Sequence, residues 1–312
     1  MKTYPHRTTL LIILFFFLSR VRAQSTIDSL PAKTDSIKMS SVPVKLSNRK
    51  TSRFISSMVY QSNNVYLGRQ DSTILPYLIP SFGYYDKSGF YASASANYLN
   101  TGDISRIDLV TIEAGYMFSK GDYDGTFTAS KYFYNSQSTS ITSEIEESFA
   151  YDNGYDFGFI RTTLTGTLNI GNKADFAGEL GIEHTFYMLD DNLDITPTFT
   201  ASASTQNYYS DYYRQRRYSV KRKGQIQTGM ATVTGTIPNA GQFKMLAYEA
   251  SLPLNYSLGK WTITFTPFYS IPVNPAIIDV HTVRDNGQVF DKTKTENIGN
   301  IFWWTAGVSF IF

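Results

Sequence analysis

The feature that most constrains this chain is a repeated alternation of apolar and polar residues, in segments of about ten to fourteen residues separated by turns. The segment from Trp261 shows it clearly, because Trp261, Ile263 and Phe265 alternate with threonines. A period of two places one set on each face of a β-strand. The alternation therefore predicts an all-β protein whose strands have one apolar and one polar face.

The length of the segments indicates what the apolar face meets. Strands of soluble sandwiches usually have ~5–6 residues, whereas a tilted strand that crosses a membrane needs about 9–11. Aromatic residues near segment ends, such as Tyr84, Tyr98 and Trp261, fit the girdles at the two membrane surfaces. Charged residues, at 17%, are also scarcer than the ~25% of soluble domains. These features favour a transmembrane β-barrel over a soluble all-β protein.

The turns predict a closed antiparallel barrel of twelve strands, with ten or fourteen as alternatives. Short turns, such as Asp86–Gly89, alternate along the chain with longer loops, such as 207–243, as in membrane barrels. The least regular stretch is 143–160, where a β-bulge is expected and Glu147 would face lipid. A fourteen-strand barrel would need a hairpin from loop 207–243, whose strands would lack an apolar face. The predicted strands are 54–67, 76–85, 90–99, 107–119, 123–134, 143–152, 157–170, 176–189, 193–206, 244–257, 260–272 and 301–312.

The N-terminal residues predict export. Residues 1–23 have the pattern of a cleaved signal peptide, with Lys2 and Arg7 before the apolar stretch Leu10–Leu18 and a cleavage site ending at Ala23. Residues 24–53 are polar and predict a flexible periplasmic extension, so the barrel domain is 54–312. Removal of the leader leaves 24 basic and 26 acidic residues, a net charge of −2. The whole-chain excess of basic residues therefore does not indicate nucleic-acid binding.

The last predicted strand ends on a distinctive pattern. Its apolar face continues to the C-terminal Phe312, with Phe310 and Val308 two and four places earlier and Gly307 five places earlier. This pattern resembles the C-terminal assembly signal of Gram-negative outer-membrane β-barrel proteins, which are porin-like in architecture. The resemblance implies a location in the bacterial outer membrane, recognition by the barrel-assembly machinery, and contact with outer-membrane lipid and lipopolysaccharide.

Parity along the strands predicts an acidic lumen in which Arg161 is the clear basic residue. Eight strands leave an interior filled by side chains and sixteen leave an aqueous channel, so twelve predict a narrow or loop-constricted pore. Such a lumen would favour small polar or cationic solutes, although an internally paired lumen without conductance fits the same residues. The predicted inward-facing acids are Glu113, Glu144, Glu146, Glu179, Glu183, Asp194 and Glu249.

Loop 207–243 interleaves aromatic and basic residues, and three interpretations remain open. It could bind lipopolysaccharide phosphates through arginine, it could fold inward as a constriction, or it could be a solvated loop. Nucleic-acid binding, which such interleaving can indicate, does not suit a loop on the outer surface. The basic residues are Arg214, Arg216, Arg217, Lys221, Arg222 and Lys223.

The sequence gives little support to catalysis, and we predict neither an enzyme, a cofactor nor a metal site. After the leader only His184 and His281 remain, and no Ser/His/Asn constellation resembles that of a lipid-modifying hydrolase. Asp190, Asn192 and Asp194 mimic a calcium loop, but Ile195 replaces its glycine, so a plain turn is favoured.

The leading function is therefore a passive pore. The alternative is a structural or assembly barrel, possibly within an oligomer or surface complex, and a hydrolase is the least supported class.

Overall fold

The computed structural model describes residues 51–71, 73–102, 104–213, 231–284 and 287–312. Twelve barrel strands, β1–β12, are numbered in chain order, and three of them consist of two segments. They are β1 (Arg53–Gln61), β2 (Tyr77–Tyr85), β3 (Phe90–Asn100), β4 (Ser105–Lys120), β5 (Tyr123–Tyr134), β6 (Ile145–Asp156), β7 (Arg161–Gly171), β8 (Ala174–Glu183 and Phe186–Met188), β9 (Leu193–Ile195 and Thr198–Ser204), β10 (Lys244–Ser251 and Leu254–Leu258), β11 (Trp261–Pro272) and β12 (Ile301–Ile311).

Each strand pairs antiparallel with the next, and β12 pairs with β1, which closes the barrel. The closing register sets Ile55 opposite Ile311 and Gln61 opposite Thr305. Closure gives every strand two neighbours, so the sheet has no open edge. The prediction of a closed twelve-stranded antiparallel barrel is confirmed.

Prolines explain why three strands are segmented. Pro197 and Pro253 lie at the interruptions of β9 and β10, where a residue without an N–H cannot donate to the ladder. The carbonyls of both prolines still accept hydrogen bonds from the neighbouring strand. The N–H of His184 donates to the carbonyl of Pro197, and the N–H of Thr196 donates to that of Pro253. The alternation of faces continues across these breaks, so the strands remain single crossings of the barrel.

The two faces of the barrel differ in the way that period two predicts. Outward residues such as Phe82, Phe127 and Phe176 are large, apolar and more than half exposed. Inward residues such as Thr128 and Asn169 are polar and buried. An apolar exterior around a polar interior is the pattern of a transmembrane barrel rather than of a soluble one.

Three strand bounds differ from those predicted by more than two residues. The first strand ends at Gln61 rather than at 67, because residues 65–70 form a separate two-stranded hairpin. The sixth and seventh strands meet at a turn over 157–160, where the N–H of Phe157 donates to the carbonyl of Ile160. The sixth strand therefore ends at Asp156 rather than at 152, and the seventh begins at Arg161 rather than at 157. The expected bulge lies between Ile145 and Glu147.

Part of the loop region has secondary structure of its own, which the sequence pattern did not predict. A short helix, α1 (Asn207–Tyr212), follows β9. A three-stranded antiparallel sheet, here called the loop sheet, consists of the strands Ala231–Thr236, Ile277–Arg284 and Val289–Thr295. Because Ala231–Thr236 pairs there and not in the barrel, the rejection of a fourteen-stranded barrel was right.

The barrel has a turn end and a loop end. Short turns, such as those at residues 86–89 and 259–260, lie at the turn end, together with the start of β1 and the end of β12. Loops 62–76, 135–144, 205–243 and 273–300 lie at the loop end. Among the described residues no helix is long and apolar enough to cross a bilayer.

Candidate functional site: the barrel lumen and its loop plug

Carboxylates line one side of the lumen. They lie on the consecutive strands β4 to β10, whereas the described residues of β11, β12 and β1–β3 place no carboxylate on the lumen face. Their inward position follows from the alternation on each strand, since their outward neighbours are exposed apolar residues such as Ile112 and Leu180. The carboxylates of this acidic wall are Glu113, Asp124, Asp152, Asp175, Glu179, Glu183, Asp194 and Glu249.

Hydroxyl groups on neighbouring strands orient several of these carboxylates. Ser202 Oγ donates to Glu179 at 3.0 Å, and Ser270 Oγ donates to Glu249 at 2.6 Å. Thr165 Oγ1 donates to Asp152 at 2.7 Å. A hydroxyl donor fixes a carboxylate without neutralising its charge. The wall therefore holds negative charge in fixed positions.

Arg161 offsets part of this charge near the turn end. Its Nη2 donates to both carboxylate oxygens of Asp124, at 2.8 and 2.7 Å, and its Nη1 donates to Glu183 at 2.6 Å. Gly154 lies beneath the guanidinium, and a Cβ there would collide with it. These ion pairs of Arg161 join β5, β7 and β8, and the pair with Asp124 spans the intervening strand β6.

Most of the predicted lumen residues lie on the lumen side. Glu113, Glu179, Glu183, Asp194, Glu249 and Arg161 all have the inward position that parity gave them. Asp124, Asp152 and Asp175 were missed, although the alternation of Phe127, Ala129 and Phe133 on β5 could have identified Asp124 as inward.

Glu144 and Glu146 are corrections to the predicted lining. Glu144 lies in the turn before β6 and is half-buried, so strand parity does not apply to it. Glu146 is exposed, and its carboxylate lies 3.5 Å from Nζ of Lys131, which also contacts Glu147 at 3.1 Å on the outer side. The bulge between Ile145 and Glu147 shifts the register, which moves Glu146 from the lumen side that parity predicted.

The loop that follows β1 crosses the bore of the barrel. Nδ2 of Asn169, on β7, donates to the hydroxyl of Tyr66 at 2.9 Å, and β7 lies diametrically opposite β1 in the ring of twelve. Nδ2 of Asn64 donates to Ser140 of loop 135–144 at 2.7 Å. Loop 62–76 therefore narrows the lumen at the loop end. A narrow or loop-constricted pore was predicted, but a constriction by loop 62–76 was not, because the sequence pattern extended the first strand into this segment.

Arg69 fixes this loop in place. Its side chain is completely buried, and it donates to the carbonyls of Leu246 at 2.6 Å and of Val273 and Asn274 at 2.9 Å. The Nε atom lies 3.7 Å from the carboxylate of Glu296. One side chain thus connects loop 62–76 with the ends of β10 and β11 and with loop 273–300.

Glu296 extends the connection to helix α1. It accepts a hydrogen bond from the hydroxyl of Tyr209 at 2.6 Å and one from the N–H of Ala276 at 2.9 Å. Burial, with Glu296 beside it, raises the pKa of Tyr209 well above its ordinary value. The phenol therefore stays protonated and remains a donor at physiological pH.

Helix α1 itself is held against the barrel by Asp175. The carboxylate of Asp175 accepts the N–H groups of Asn207 and Tyr208, each at 2.7 Å, as an acid near a helix N-terminus does. The ring of Tyr208 meets that of Tyr66 edge-on, with centroids 5.4 Å apart. The helix and loop 62–76 are thus parts of one packed unit.

This unit, here called the loop plug, has an apolar core shared with the barrel wall. The core is nearly dry, since Ile141 and Leu246 are completely buried and Tyr209 is 1% exposed. Its members are Tyr66, Leu67, Leu109, Tyr132, Ile141, Ile145, Tyr208, Tyr209, Tyr212, Tyr213, Ile237, Leu246, Ala276, Ile278 and Val280.

The hypothesis that loop 207–243 folds inward agrees with Tyr208, Tyr209, Tyr212 and Tyr213, which are buried in this plug. The predicted basic residues, from Arg214 to Lys223, lie outside the described residues. Within the barrel, lumen residues such as Ser93 and Thr200 are partly exposed, whereas Asp152 and Asp194, nearer the turn end, are buried. The plug narrows the lumen at the loop end.

Of the candidate catalytic and metal residues, Asp194 belongs to the acidic wall, whereas His184, His281, Asp190 and Asn192 lie outside the lumen. The ring of His184 contacts Phe186 edge-on, and His281 pairs with Asp291 on the loop sheet. Asp190 and Asn192 form the turn between β8 and β9, as predicted, with Nδ2 of Asn192 donating to the carbonyl of Leu189. Within the described ranges no group of three His, Asp or Glu side chains is placed to hold a metal ion.

A closed barrel with an apolar exterior, a polar acidic lumen and a loop plug belongs to the class of transmembrane β-barrel proteins. No protein-family model matches the chain, and no curated protein matches it. Solved structures with a similar fold include the KdgM porin, with 8% sequence identity and a TM-score of 0.42; the match covers 84% of this chain and 99% of the KdgM chain. The NanC porin matches with 12% identity and a TM-score of 0.43, over 82% of this chain and 98% of the NanC chain. The outer-membrane protein Omp33 of Acinetobacter baumannii matches with 9% identity and a TM-score of 0.31, over 84% of this chain and 98% of the Omp33 chain.

Proposed function

We propose that this protein is a narrow passive channel of the bacterial outer membrane that favours small cationic or polar solutes. The observation that carries the proposal is the acidic wall, whose carboxylates are fixed along β4–β10, while the described residues of the facing strands place no carboxylate on the lumen face. A lumen lined by one sign of charge concentrates counter-ions and excludes ions of the same sign. The plug restricts the passage at the loop end, so the expected solutes are small.

Ion selectivity in planar bilayers tests this proposal. We expect the wild-type protein to conduct K⁺ better than Cl⁻ in a KCl gradient, as read from the reversal potential. A unit charge contributes about 1 kcal/mol at 4 Å in water. Replacing Glu179 and Glu249 by glutamine should therefore lower the K⁺/Cl⁻ permeability ratio by roughly fivefold or more.

The control is Glu147→Gln, which removes one negative charge from the outer side and should leave the ratio unchanged. A wild-type channel that prefers Cl⁻, or a ratio that does not respond to the lumen substitutions, would contradict the proposal.

The loop plug favours a second candidate, a structural or assembly barrel without transport. Its dry core reaches across the bore from loop 62–76 to Asn169, and a plug that never moves would block solutes. Liposome swelling with solutes of graded size separates the two candidates. Swelling with small solutes supports the channel, and no swelling with any solute supports the structural barrel.

A further inference from the structure

The loop sheet ends in an open strand edge. Val289–Thr295 pairs with Ile277–Arg284 on one side, and no described strand pairs with its other side. The opposite edge strand, Ala231–Thr236, lies beside helix α1, where the N–H of Ile237 donates to Ser210. Of the two edges of the loop sheet, the one at Val289–Thr295 is therefore the open one within the described residues.

This edge is held rigidly although it is exposed. All seven residues of Val289–Thr295 are exposed, and Val289 and Phe290 are 53% and 45% exposed. Its partner strand is anchored by Ile278 and Val280, which are buried in the core of the loop plug. An open strand edge presents backbone N–H and C=O groups to which a further strand can pair. When the edge strand is already anchored, its backbone does not have to be ordered before that strand binds.

The side chains of the edge indicate the chemistry of the strand that would fit. Lys292 and Lys294 lie on one face, together with Phe290, because alternate residues of a strand share a face. Neither lysine pairs with an acid in the described part of the chain. Asp291, on the other face, is already paired with His281. The unpaired charge of the edge is therefore positive.

We infer that this edge binds an extended, acidic segment of a partner protein by β-strand addition. Backbone hydrogen bonds along Val289–Thr295 would supply the pairing, as in other complexes that extend a sheet. Acidic side chains opposite Lys292 and Lys294 would set the specificity. The inference does not depend on the channel proposal, since the edge lies outside the lumen.

A second copy of this chain fits the edge poorly. Antiparallel pairing of two such edges about Lys292 sets that lysine against its own copy. Pairing about Thr293 sets Lys292 against Lys294. Like charges placed directly opposite each other destabilise a strand pair, so the lysines select a partner of opposite charge and disfavour self-association.

Peptide binding to the full-length protein in detergent micelles tests the inference. The probe is a fluorescent nine-residue peptide of alternating glutamate and valine, compared by anisotropy with its lysine–valine counterpart and with an N-methylated acidic peptide. We expect the acidic peptide to bind roughly tenfold tighter than the basic one. The N-methylated peptide, which lacks backbone donors, should not bind.

Charge reversal provides the matched test on the protein. Lys292→Glu combined with Lys294→Glu should invert the preference between the two peptides. The control, Lys87→Glu combined with Lys120→Glu, reverses two exposed lysines at the turn end and should change nothing. Both variants are first shown to be folded by a heat-modifiable gel shift.

Three results would each overturn the inference: no binding of the acidic peptide, equal binding of both peptides, or a preference that survives reversal of Lys292 and Lys294. Concentration-dependent dimerisation through this edge would instead identify a second copy as the occupant.

Discussion

Replacing Arg69 by alanine should release the loop plug. The guanidinium is completely buried and donates at 2.6–2.9 Å to three backbone carbonyls, those of Leu246, Val273 and Asn274. Its removal would deprive these carbonyls of a buried donor and Glu296 of its ion-pair partner at 3.7 Å. Breaking a buried ion pair by removing one partner costs about 3–5 kcal/mol. A loss of that size raises the fraction of open plug by roughly two to four orders of magnitude, since each ~1.4 kcal/mol is tenfold.

Hydrogen exchange followed by mass spectrometry measures this release. We expect the amides of residues 62–71 to lose most of their protection in Arg69→Ala, whereas those of β3 should be unchanged. The control is Lys131→Ala, because the side chain of Lys131 is 38% exposed and its ion pairs with Glu146 and Glu147 lie on the outer side of the barrel. Surface pairs contribute about 0–1 kcal/mol, so this control should show little change.

Conductance provides a second readout of the same variant, since an open plug should increase single-channel current. Equal protection of residues 62–71 in Arg69→Ala and wild type would refute the reasoning, because the plug would then be held without its buried arginine.

Two further predictions concern the turn end of the barrel. Gly154→Ala should lower the free energy of unfolding by about 3–5 kcal/mol, because a Cβ there would push Arg161 out of its buried ion pairs. Urea titration measures this loss. The control is Gly166→Ala, where a Cβ meets nothing within 4 Å, and its free energy of unfolding should stay within about 1 kcal/mol of wild type. Hydrogen bonds hold the pKa of Asp86 well below its ordinary value of 3.8, and the bonds from Ser88 contribute most to this lowering. The unfolded chain thus binds this proton more readily, so the stabilisation is present above pH 3.8 and is lost as the pH falls through the lower native pKa. Asp86→Asn should therefore flatten the decline of the urea midpoint below pH 4, and a decline as steep as that of wild type would show that Asp86 plays no part in it.

The sequence by itself determined the barrel. Period two is a property of each strand alone, so the outward position of Trp261 and Ile263 could be predicted without knowing any partner. The number of crossings followed from the turns, and the lumen position of Glu179 and Glu249 followed from parity. Parity along the strand gave the wrong side for Glu146, because the bulge beside it shifts the register of the ladder.

Only the tertiary structure decided what fills the loop end. Arg69 meets the carbonyl of Leu246 across 177 positions of sequence, and Tyr66 meets Asn169 across 103. Nothing periodic marks such contacts, because they depend on where closure of the barrel brings the loops together. The charge of the lumen was thus set by strand periodicity, whereas the constriction and the open edge at Val289–Thr295 arise from long-range packing.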